Sequence, residues 1–291
     1  MSDRSPLELI DTHAHLTDPS LAGRLDELLA SAAAAGVVQA LTVATDLPTA
    51  RSAVEQAARF PQLRATAGVH PHHAAGVPPD WLDQLERLAA DPHVAAVGEI
   101  GVDYFYEFAP RAVQHRVFAD QLALAVRLGK PVIIHSRGKV LSEKPGHGKV
   151  ADPACFEDIL RILEAVAVPA GSRLTGVFHC FEGTPQQAAE VLARGFLVSF
   201  TGSLTFKSNE ALRRTAAGLP TDRVMVETDA PYMSPEPHRK VRPCTPAMTA
   251  YTAAKLAECW GLGLADTAAA TTANARRLFG LGEGERGKAE G

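Results

Sequence analysis

The chain has 291 residues, of which 46% are hydrophobic and 21% charged, and its formal net charge is −4. This length fits one α/β barrel of roughly 250 residues with insertions, and the hydrophobic fraction excludes a wholly disordered chain. The negative net charge argues against a basic field spread over the protein that would attract nucleic acid, although a metal ion can still engage phosphates locally.

Eight short apolar segments, taken in chain order, predict the strands of a parallel sheet. Most of them are continuous apolar runs rather than alternating ones, as expected for strands that are covered on both faces. The segments are Leu7–Asp11, Val37–Thr45, Leu63–His70, Val94–Glu99, Pro131–His135, Leu174–His179, Phe196–Thr201 and Arg223–Asp229.

Segments between these runs have the apolar spacing of helices. Ser20–Ala35 is one of them, and Gly36 directly after it is typical of a helix C-cap. Arg111–Leu128 is the longest and stops before Gly129. The remaining predicted helices are Pro48–Arg59, Pro79–Ala90, one opened by Asp152-Pro153, one from Thr184-Pro185 to Gly195, Ser208–Ala217, Thr245–Trp260 and Asp266–Leu278.

Strands that alternate with helices imply a parallel sheet. A doubly wound open sheet would place ligands at one switch point, whereas ligand-type residues here follow the first, fourth, fifth, sixth and eighth runs. Closing the sheet makes the eighth strand a neighbour of the first, so that Asp229 can meet His13. We therefore predict one domain over residues 1–280, a (β/α)8 TIM barrel with a metal site at its C-terminal face. Gly138–Pro153 is expected to be an inserted mobile loop, and residues 281–291 a disordered tail.

Five of the predicted strands deliver histidines or carboxylates at or just past their ends. A buried strand needs no charge at its tip, and an unpaired buried charge costs several kcal/mol or more. A single metal site shared by all of them would account for these residues. They are His13, His15, Glu99, His135, His179 and Asp229.

Each of these residues also has an ordinary structural interpretation. His13 and His15 share one side of a strand, but two surface histidines would show the same spacing. Glu99 could belong to a core ion pair, although no lysine or arginine is near it in the strand, and a role bridging two divalent ions is preferred. His135 and His179 are each either ligands or core histidines, and their equivalent positions favour ligands.

Other polar residues near the strand ends are candidates for contacts with a substrate. His70 is expected to face the pocket, and Tyr104 to supply a substrate or supporting group with Asp103. Arg137 could hold a phosphate oxygen bidentately or form a salt bridge at the rim, and Lys207 is a weaker phosphate candidate. Glu227, deeper than Asp229, is expected to have a structural hydrogen-bonding role, while His72, His73, His93, His115, His147 and His238 are expected at the surface.

Four histidines, one glutamate and one aspartate suit Mg²⁺, Mn²⁺ or Zn²⁺. Six ligand groups exceed the needs of one tetrahedral ion, so two divalent ions are predicted, an arrangement that can clamp both oxygens of a displacement. The four cysteines form no CxxC pair, which argues against a cysteine zinc site. The N-terminus lacks an apolar signal core and no run approaches the roughly 18 apolar residues of a membrane span, so a cytoplasmic protein is expected.

Six motifs together resemble those of the TatD family, metal-dependent deoxyribonucleases with an amidohydrolase-like barrel. The likeness runs from about Leu9 to Leu278 in the family's order. Two departures stand out: Cys244-Thr245-Pro246 replaces the usual Asn-x-Pro, and the segment from Lys139 to Pro153 is longer than in the family. The motifs are DTHAHL (11–16), GVHP (68–71), GEIGVDY (98–104), PVIIHSR (131–137), FHCFEG (178–183) and ETDAPY (227–232).

This resemblance implies that His13, His15, Glu99 and Asp229 hold one ion. It implies that Glu99, His135 and His179 hold the second, and that His70 contacts the scissile phosphate. The leading hypothesis is a two-metal phosphodiesterase acting on DNA, a 3′→5′ exonuclease on single-stranded or frayed ends. Asp229 would be both a ligand and the general base, Glu99 the bridge, and the second ion with His70 would stabilise the developing charge.

DNA is the expected partner, with no membrane and no obligate protein partner. Two rival functions remain open from the sequence. One is an ester or amide hydrolase on the same metal centre, such as an aminoacyl-tRNA deacylase or a cyclic amidohydrolase. The other is a metal-binding scaffold without activity, against which the intact set of six ligands argues.

Overall fold

A computed structural model describes residues 7–144, 148–167 and 174–282. Eight of its strands form one parallel sheet: β1 (Leu9–Ala14), β2 (Val37–Thr42), β3 (Leu63–Ala67), β4 (Val94–Asp103), β5 (Val132–Arg137), β8 (Gly176–Phe178), β9 (Leu197–Phe200) and β10 (Val224–Val226). Each strand pairs with the next in that order. Helices run between consecutive strands, as the alternating pattern predicts.

The two edges of this sheet meet, which closes it into a barrel. Ala14 forms a parallel bridge with Ala230. The amide of Asp229 donates to the carbonyl of His13 at 2.8 Å, and the amide of His15 donates to Ala230 at 2.7 Å. These contacts join the first strand to the segment after the last, and the predicted (β/α)8 TIM barrel is confirmed.

The helices follow the predicted segments with one clear difference. The segment 20–35 forms two helices rather than one, because α1 ends with Gly23 at its C-cap and α2 begins at Leu25. α5 has the predicted bounds. The α-helices are α1 (Pro19–Ala22), α2 (Leu25–Ala34), α3 (Leu47–Arg59), α4 (Trp81–Ala89), α5 (Arg111–Leu128), α6 (Ala154–Ala167), α7 (Pro185–Ala193), α8 (Glu210–Ala217), α9 (Thr249–Trp260) and α10 (Leu264–Phe279).

Local sequence explains where several of these helices begin. The Asp46 side chain accepts from the amide of Thr49, whose hydroxyl in turn accepts from the Asp46 amide, and this capping box opens α3. Thr184 and Gln187 form the same reciprocal pair at α7. Such caps satisfy amides that the first turn of a helix leaves without partners.

Apolar side chains form two cores. The larger lies between the sheet and the helices. The smaller takes inward-facing residues from seven of the eight strands and is closed by Ala275 and Phe279 of α10 and by Leu281. The strand residues of this core are Ile10, Leu41, Ala95, Ala96, Ile133, Val177, Leu197 and Met225. The barrel is therefore filled with apolar side chains at one end, which leaves the other end for the polar groups.

The segment 138–153 differs from the expected irregular loop. It contains two antiparallel strands, β6 (Val140–Lys144) and β7 (Gly148–Ala151), with Val140 paired to Ala151. Backbone pairing in such a ribbon needs no buried apolar face, so the hydrophobic pattern does not reveal it. Residues 145–147, which include His147, and residues 283–291 of the expected tail lie outside the described residues. In the described parts of the chain, no helix has the length and apolar character to cross a membrane.

Candidate metal centre

The structure brings the six strand-tip residues together at the carboxyl end of the barrel. Glu99 lies within β4, which continues past it to Asp103, and its side chain is 2% exposed. Four histidines face it from other strands, and Asp229 faces two of these histidines. The histidines are His13 of β1, His15 just after it, His135 of β5 and His179 directly after β8.

The two carboxylate oxygens of Glu99 face different pairs of histidines. Oε2 lies 3.3 Å from His13 Nε2 and 3.6 Å from His15 Nε2. Oε1 lies 2.7 Å from His135 Nδ1 and 2.7 Å from His179 Nε2. The carboxylate therefore stands between two groups of nitrogen donors, with one oxygen directed to each.

Asp229 lies beside the first group of nitrogen donors, His13 and His15. Its Oδ1 lies 3.3 Å from His15 Nε2 and 3.8 Å from His13 Nε2. The backbone of Asp229 is in the left-handed region, with φ of 57°. That conformation is uncommon for a residue other than glycine, and such strain is typical of functional sites. Here the conformation places the Asp229 carboxylate next to His13 and His15.

Outer partners orient His15 and His135 toward Glu99. His15 Nδ1 lies 3.1 Å from the carbonyl of Val43, which can only accept a hydrogen bond. His135 Nε2 lies 3.1 Å from Asp103 Oδ2, an ionised carboxylate oxygen. Each outer contact places a hydrogen on that ring nitrogen, and the other nitrogen of the ring faces Glu99. Metal-binding histidines are commonly held in this way.

Glu227 lies beside the outer nitrogen of His179, although the two groups form no hydrogen bond of good geometry. Its Oε1 lies 3.4 Å from His179 Nδ1 and accepts from the amide of Cys180 at 2.7 Å. Its Oε2 accepts from the hydroxyl of Ser199 at 2.6 Å. These contacts agree with the structural role expected for Glu227, and they leave His179 Nε2 free to face Glu99.

His13 supplies a direct test of whether the residues fit a metal ion. The side chain is fully buried, yet neither ring nitrogen has a hydrogen-bond partner in the described parts of the chain. Its ring stacks on that of His179, with centroids 3.9 Å apart. A buried polar atom without a partner is costly, and a cation beside Nε2 removes that cost. With carboxylate oxygens on the same side, the donor set fits a divalent metal.

The surroundings keep both carboxylates ionised. Burial raises the pKa of Glu99, but the facing histidines, His179 above all, outweigh burial and hold this pKa well below its usual range. The pKa of Asp229 is also lowered, because the hydrogen bond from His15 and the nearby histidine charges outweigh burial. Negative charge is therefore available to bind cations at neutral pH.

His70 contributes a hydrogen-bond donor next to the second group. Burial lowers its pKa to about 3, so the ring is neutral. Its Nδ1 accepts from the amide of His72 at 3.1 Å, which places the ring hydrogen on Nε2. That nitrogen lies 3.4 Å from Glu99 Oε1. His70 thus directs one N–H into the site, as needed for contact with an anionic substrate.

Tyr104 lies elsewhere than expected. Its side chain is 1% exposed, and its hydroxyl donates to Asp158 of α6 at 2.6 Å beside His115 of α5. Because β4 extends to Asp103, alternation along the strand turns Asp103 to the barrel mouth and Tyr104 to the helices. The expectation that Tyr104 contacts the substrate does not hold, and His115 is a partner in this cluster rather than a free surface group.

The two cationic candidates are exposed and are not fixed by an acidic partner in the described residues. Lys207 lies after the short helical turn that follows β9. Arg137 ends β5, and its guanidinium carbon lies 4.4 Å from the ring centroid of Phe105. Arg137 therefore stacks on an aromatic ring, and its alternative, a salt bridge at the rim, has no partner among the side chains that the structure describes.

Sequence reasoning missed the role of His72 and gave Asp103 only a general one. His72 Nε2 lies 2.9 Å from Asp103 Oδ2, the same oxygen that holds His135. The paired histidines outweigh burial and lower the pKa of Asp103. The signal that could have found Asp103 is alternation, since Glu99, Gly101 and Asp103 share one side of β4.

Cys244, the departure from the family's Asn-x-Pro, is fully buried below the loop that carries Asp229. Its amide donates to the carbonyl of Pro231 at 3.0 Å, and its thiol contacts the sulfur of Met248 at 3.6 Å. Burial raises the pKa of this thiol to about 12. The side chain is therefore a packed, protonated thiol that supports the loop after β10.

Comparison with known proteins agrees with this arrangement of residues. The family model described as TatD related DNase matches residues 10–280. An uncharacterized metal-dependent hydrolase of Bacillus subtilis is 33% identical over 271 residues, which cover 93% of this chain and 98% of that protein. A protein of Citrobacter rodentium named 3′-5′ ssDNA/RNA exonuclease TatD is 34% identical, covering 94% of this chain and 98% of its own length.

A solved structure shows the same architecture. The TatD homologue YJJV from Escherichia coli K12 superimposes with a TM-score of 0.83 at 28% identity, covering 96% of this chain and 100% of that one. The family match spans nearly the whole barrel, and relatives above 30% identity are matched along almost their full length. The chain therefore belongs to the TatD family of metal-dependent hydrolases.

Proposed function

We propose that the protein is a phosphodiesterase that uses two divalent metal ions to remove nucleotides from the 3′ end of single-stranded or frayed DNA. The observation that carries the proposal is the placement of Glu99, with one oxygen facing His13 and His15 and the other facing His135 and His179. A carboxylate set between two groups of donors suits a pair of ions, and metal pairs are common in enzymes that cleave phosphodiesters.

The named activity of one relative supports the choice of substrate. The Citrobacter rodentium protein, 34% identical over nearly the whole chain, is named for exonuclease action on single-stranded DNA and RNA. The barrel mouth of this chain carries the neutral donor His70 beside the ligands, as a phosphate group requires. The acidic residues at the centre would repel a phosphate if no cation were bound. Binding of the substrate is therefore expected to require the metal ions.

Bound ions would supply Lewis acidity and a lowered pKa for a water molecule. His13, His15, Asp229 and Glu99 Oε2 would hold one of them, and His135, His179 and Glu99 Oε1 the other. The chain's own groups do the remaining work. Asp229 accepts a proton from the attacking water as the new P–O bond forms. The bond to the 3′ oxygen of the remaining strand breaks, and that oxygen takes up a proton from solvent. His70 donates its Nε2 hydrogen to a phosphate oxygen as negative charge develops there.

The test uses purified protein, Mn²⁺ or Mg²⁺, and a DNA strand labelled at its 5′ end. Shortening from the 3′ end should give a ladder of labelled products, and a blunt duplex should be degraded more slowly. Addition of a chelator should stop the reaction, and Glu99→Ala should abolish it. A matched RNA strand in the same assay shows which sugar is preferred.

The rival functions give different results in parallel assays. An ester or amide hydrolase would leave the DNA intact and would hydrolyse aminoacyl-tRNA or a cyclic amide with the same metals. A scaffold without activity would bind metal and leave every substrate unchanged. Either result with metal-replete protein would overturn the proposed nuclease.

A further inference from the structure

Three exposed aromatic side chains crowd the loop between β4 and α5. Phe105 is 42% exposed, Tyr106 46% and Phe108 65%. Single exposed apolar residues are normal, whereas a cluster of aromatic rings marks an interaction surface. Loops that follow barrel strands lie at the catalytic face, and this one follows the strand of Glu99. The surface thus adjoins the metal centre.

The rings form an ordered face. Tyr106 and Phe108 are stacked, with centroids 5.2 Å apart and planes 14° from parallel. The guanidinium carbon of Arg137 lies 4.4 Å from the centroid of Phe105 and 4.9 Å from that of Tyr106. We call Phe105, Tyr106, Phe108 and Arg137 the aromatic platform. A cation over the rings gives the platform a positive charge beside its flat surfaces.

The platform is tied to the metal centre through shared contacts. Asp103 Oδ1 accepts from the amides of Phe105 and Tyr106, both at 2.8 Å, while Oδ2 binds His72 and His135. The ring of His72 lies 4.8 Å from that of Phe108. One buried carboxylate therefore positions both a candidate ligand and the backbone of the aromatic loop, so the face is formed before a substrate binds.

We infer that the aromatic platform stacks an unpaired base next to the phosphate that is cleaved, and that Tyr106 and Phe108 thereby select single strands. This inference rests on the proposed nuclease function. Every base offers a flat face, so stacking on aromatic rings tolerates any sequence. In a duplex the same faces are covered by neighbouring base pairs. Arg137 adds a positive charge that attracts the phosphates. The ring of His72 connects the platform to the metal centre, because it contacts Phe108 on one side and His70 on the other.

Binding experiments can isolate the stacking. The probe is a short DNA strand with 2-aminopurine at its 3′ end and phosphorothioate linkages that resist cleavage, titrated with Mn²⁺-loaded protein. Stacking quenches 2-aminopurine fluorescence. Phe108→Ala should raise Kd roughly ten-fold and reduce the quenching. Phe108→Leu, which keeps apolar area without a flat ring, should behave like Phe108→Ala.

Two controls separate stacking from a general effect. Leu262→Ala removes another side chain that is 42% exposed, in the loop that joins α9 to α10, and should leave Kd and quenching at wild-type values. A strand that lacks its terminal base should bind wild type and Phe108→Ala equally, with changes in anisotropy as the readout. With a cleavable strand, Phe108→Ala should raise KM more than it lowers kcat.

Three results would overturn the inference. Equal Kd and quenching for wild type and Phe108→Ala, with DNA still cleaved, would refute the platform and leave the nuclease standing. Wild type that neither binds nor cleaves any strand would refute the nuclease and the platform together. Dimerisation that Phe108→Ala abolishes in sedimentation, without change in DNA binding, would show that a second copy of the chain covers this face.

Discussion

Asp11 accepts two hydrogen bonds from Thr228, a residue 217 positions later in the chain. The amide of Thr228 donates at 2.9 Å and its hydroxyl at 2.6 Å. Burial raises the pKa of Asp11 to about 7, and the bonds from Thr228 oppose that rise. This pair joins β1 to the segment after β10, directly below His13 and Asp229.

Removing the hydroxyl of Thr228 should therefore weaken the closure of the barrel. Thr228→Val keeps the shape of the side chain but leaves a buried carboxyl oxygen without its donor. We expect the free energy of unfolding to fall by about 1–3 kcal/mol, measured by urea denaturation. Thr267→Val is the matched control, because the buried hydroxyl of Thr267 has no hydrogen-bond partner among the described residues. Equal effects of the two substitutions would contradict the role given to this pair.

Metal binding should stabilise the folded protein through Glu99. For the wild type, Mn²⁺ at a free concentration 100 times its Kd should add about 2.7 kcal/mol, which a thermal unfolding assay detects as a higher Tm. Glu99→Ala should lose most of this shift, since both groups of histidines lose their shared oxygen ligand. Glu55→Gln, a change on the exposed face of α3, should keep the full shift. A wild-type shift in Glu99→Ala would disprove the bridging position.

The loss of Asp103 should lower metal affinity and leave the barrel intact. Asp103→Asn keeps the volume but removes the charge that holds His135 and His72. Removing an outer partner of a ligand histidine commonly costs 10- to 100-fold in metal affinity or activity, and calorimetric titration with Mn²⁺ measures the affinity. Asp91→Asn, which affects a carboxylate bound to His93 before β4, is the control and should match wild type. Full affinity in Asp103→Asn would show that His135 needs no such support.

Gly101 allows β4 and β5 to approach closely beside a candidate ligand. Its φ is +142°, and a Cβ atom there would lie 2.0 Å from the carbonyl oxygen of His135. Gly101→Ala should lower stability by at least about 2 kcal/mol and displace His135, which reduces metal affinity as well. Gly23→Ala has open space around the new methyl group and an ordinary φ of −75°. It should be neutral or slightly stabilising in the same unfolding assay.

The barrel was predictable because its strands are short, continuous apolar runs separated by amphipathic segments. The convergence of His13, Glu99 and Asp229 followed from closing the sheet, since parallel strands end on one face. Spacing along the chain could not show the pairing of His72 with Asp103, because that contact joins the turn after β3 to the end of β4. The wrong expectation for Tyr104 arose because β4 continues past Glu99 to Asp103, so that alternation along the strand turns Tyr104 away from the barrel mouth.

The aromatic platform shows another limit of sequence reasoning. Phe105, Tyr106 and Phe108 are residue types that are usually buried, and in a chain rich in apolar segments they do not stand out. Their exposure depends on the turn made after Asp103, whose side chain binds the amides of Phe105 and Tyr106. A turn fixed by a buried carboxylate depends on tertiary contacts, which the order of residues alone does not reveal.

Closure of the barrel also bears on when the centre can form. The amide of Asp229 donates to the carbonyl of His13, 216 positions earlier in the chain, and the two side chains face each other. Contacts between residues so distant in sequence form late, because a long stretch of chain must be ordered first. A chain still emerging from the ribosome, or one cut before β10, has no complete centre. The complete set of candidate metal ligands is therefore assembled only when synthesis of the barrel is finished.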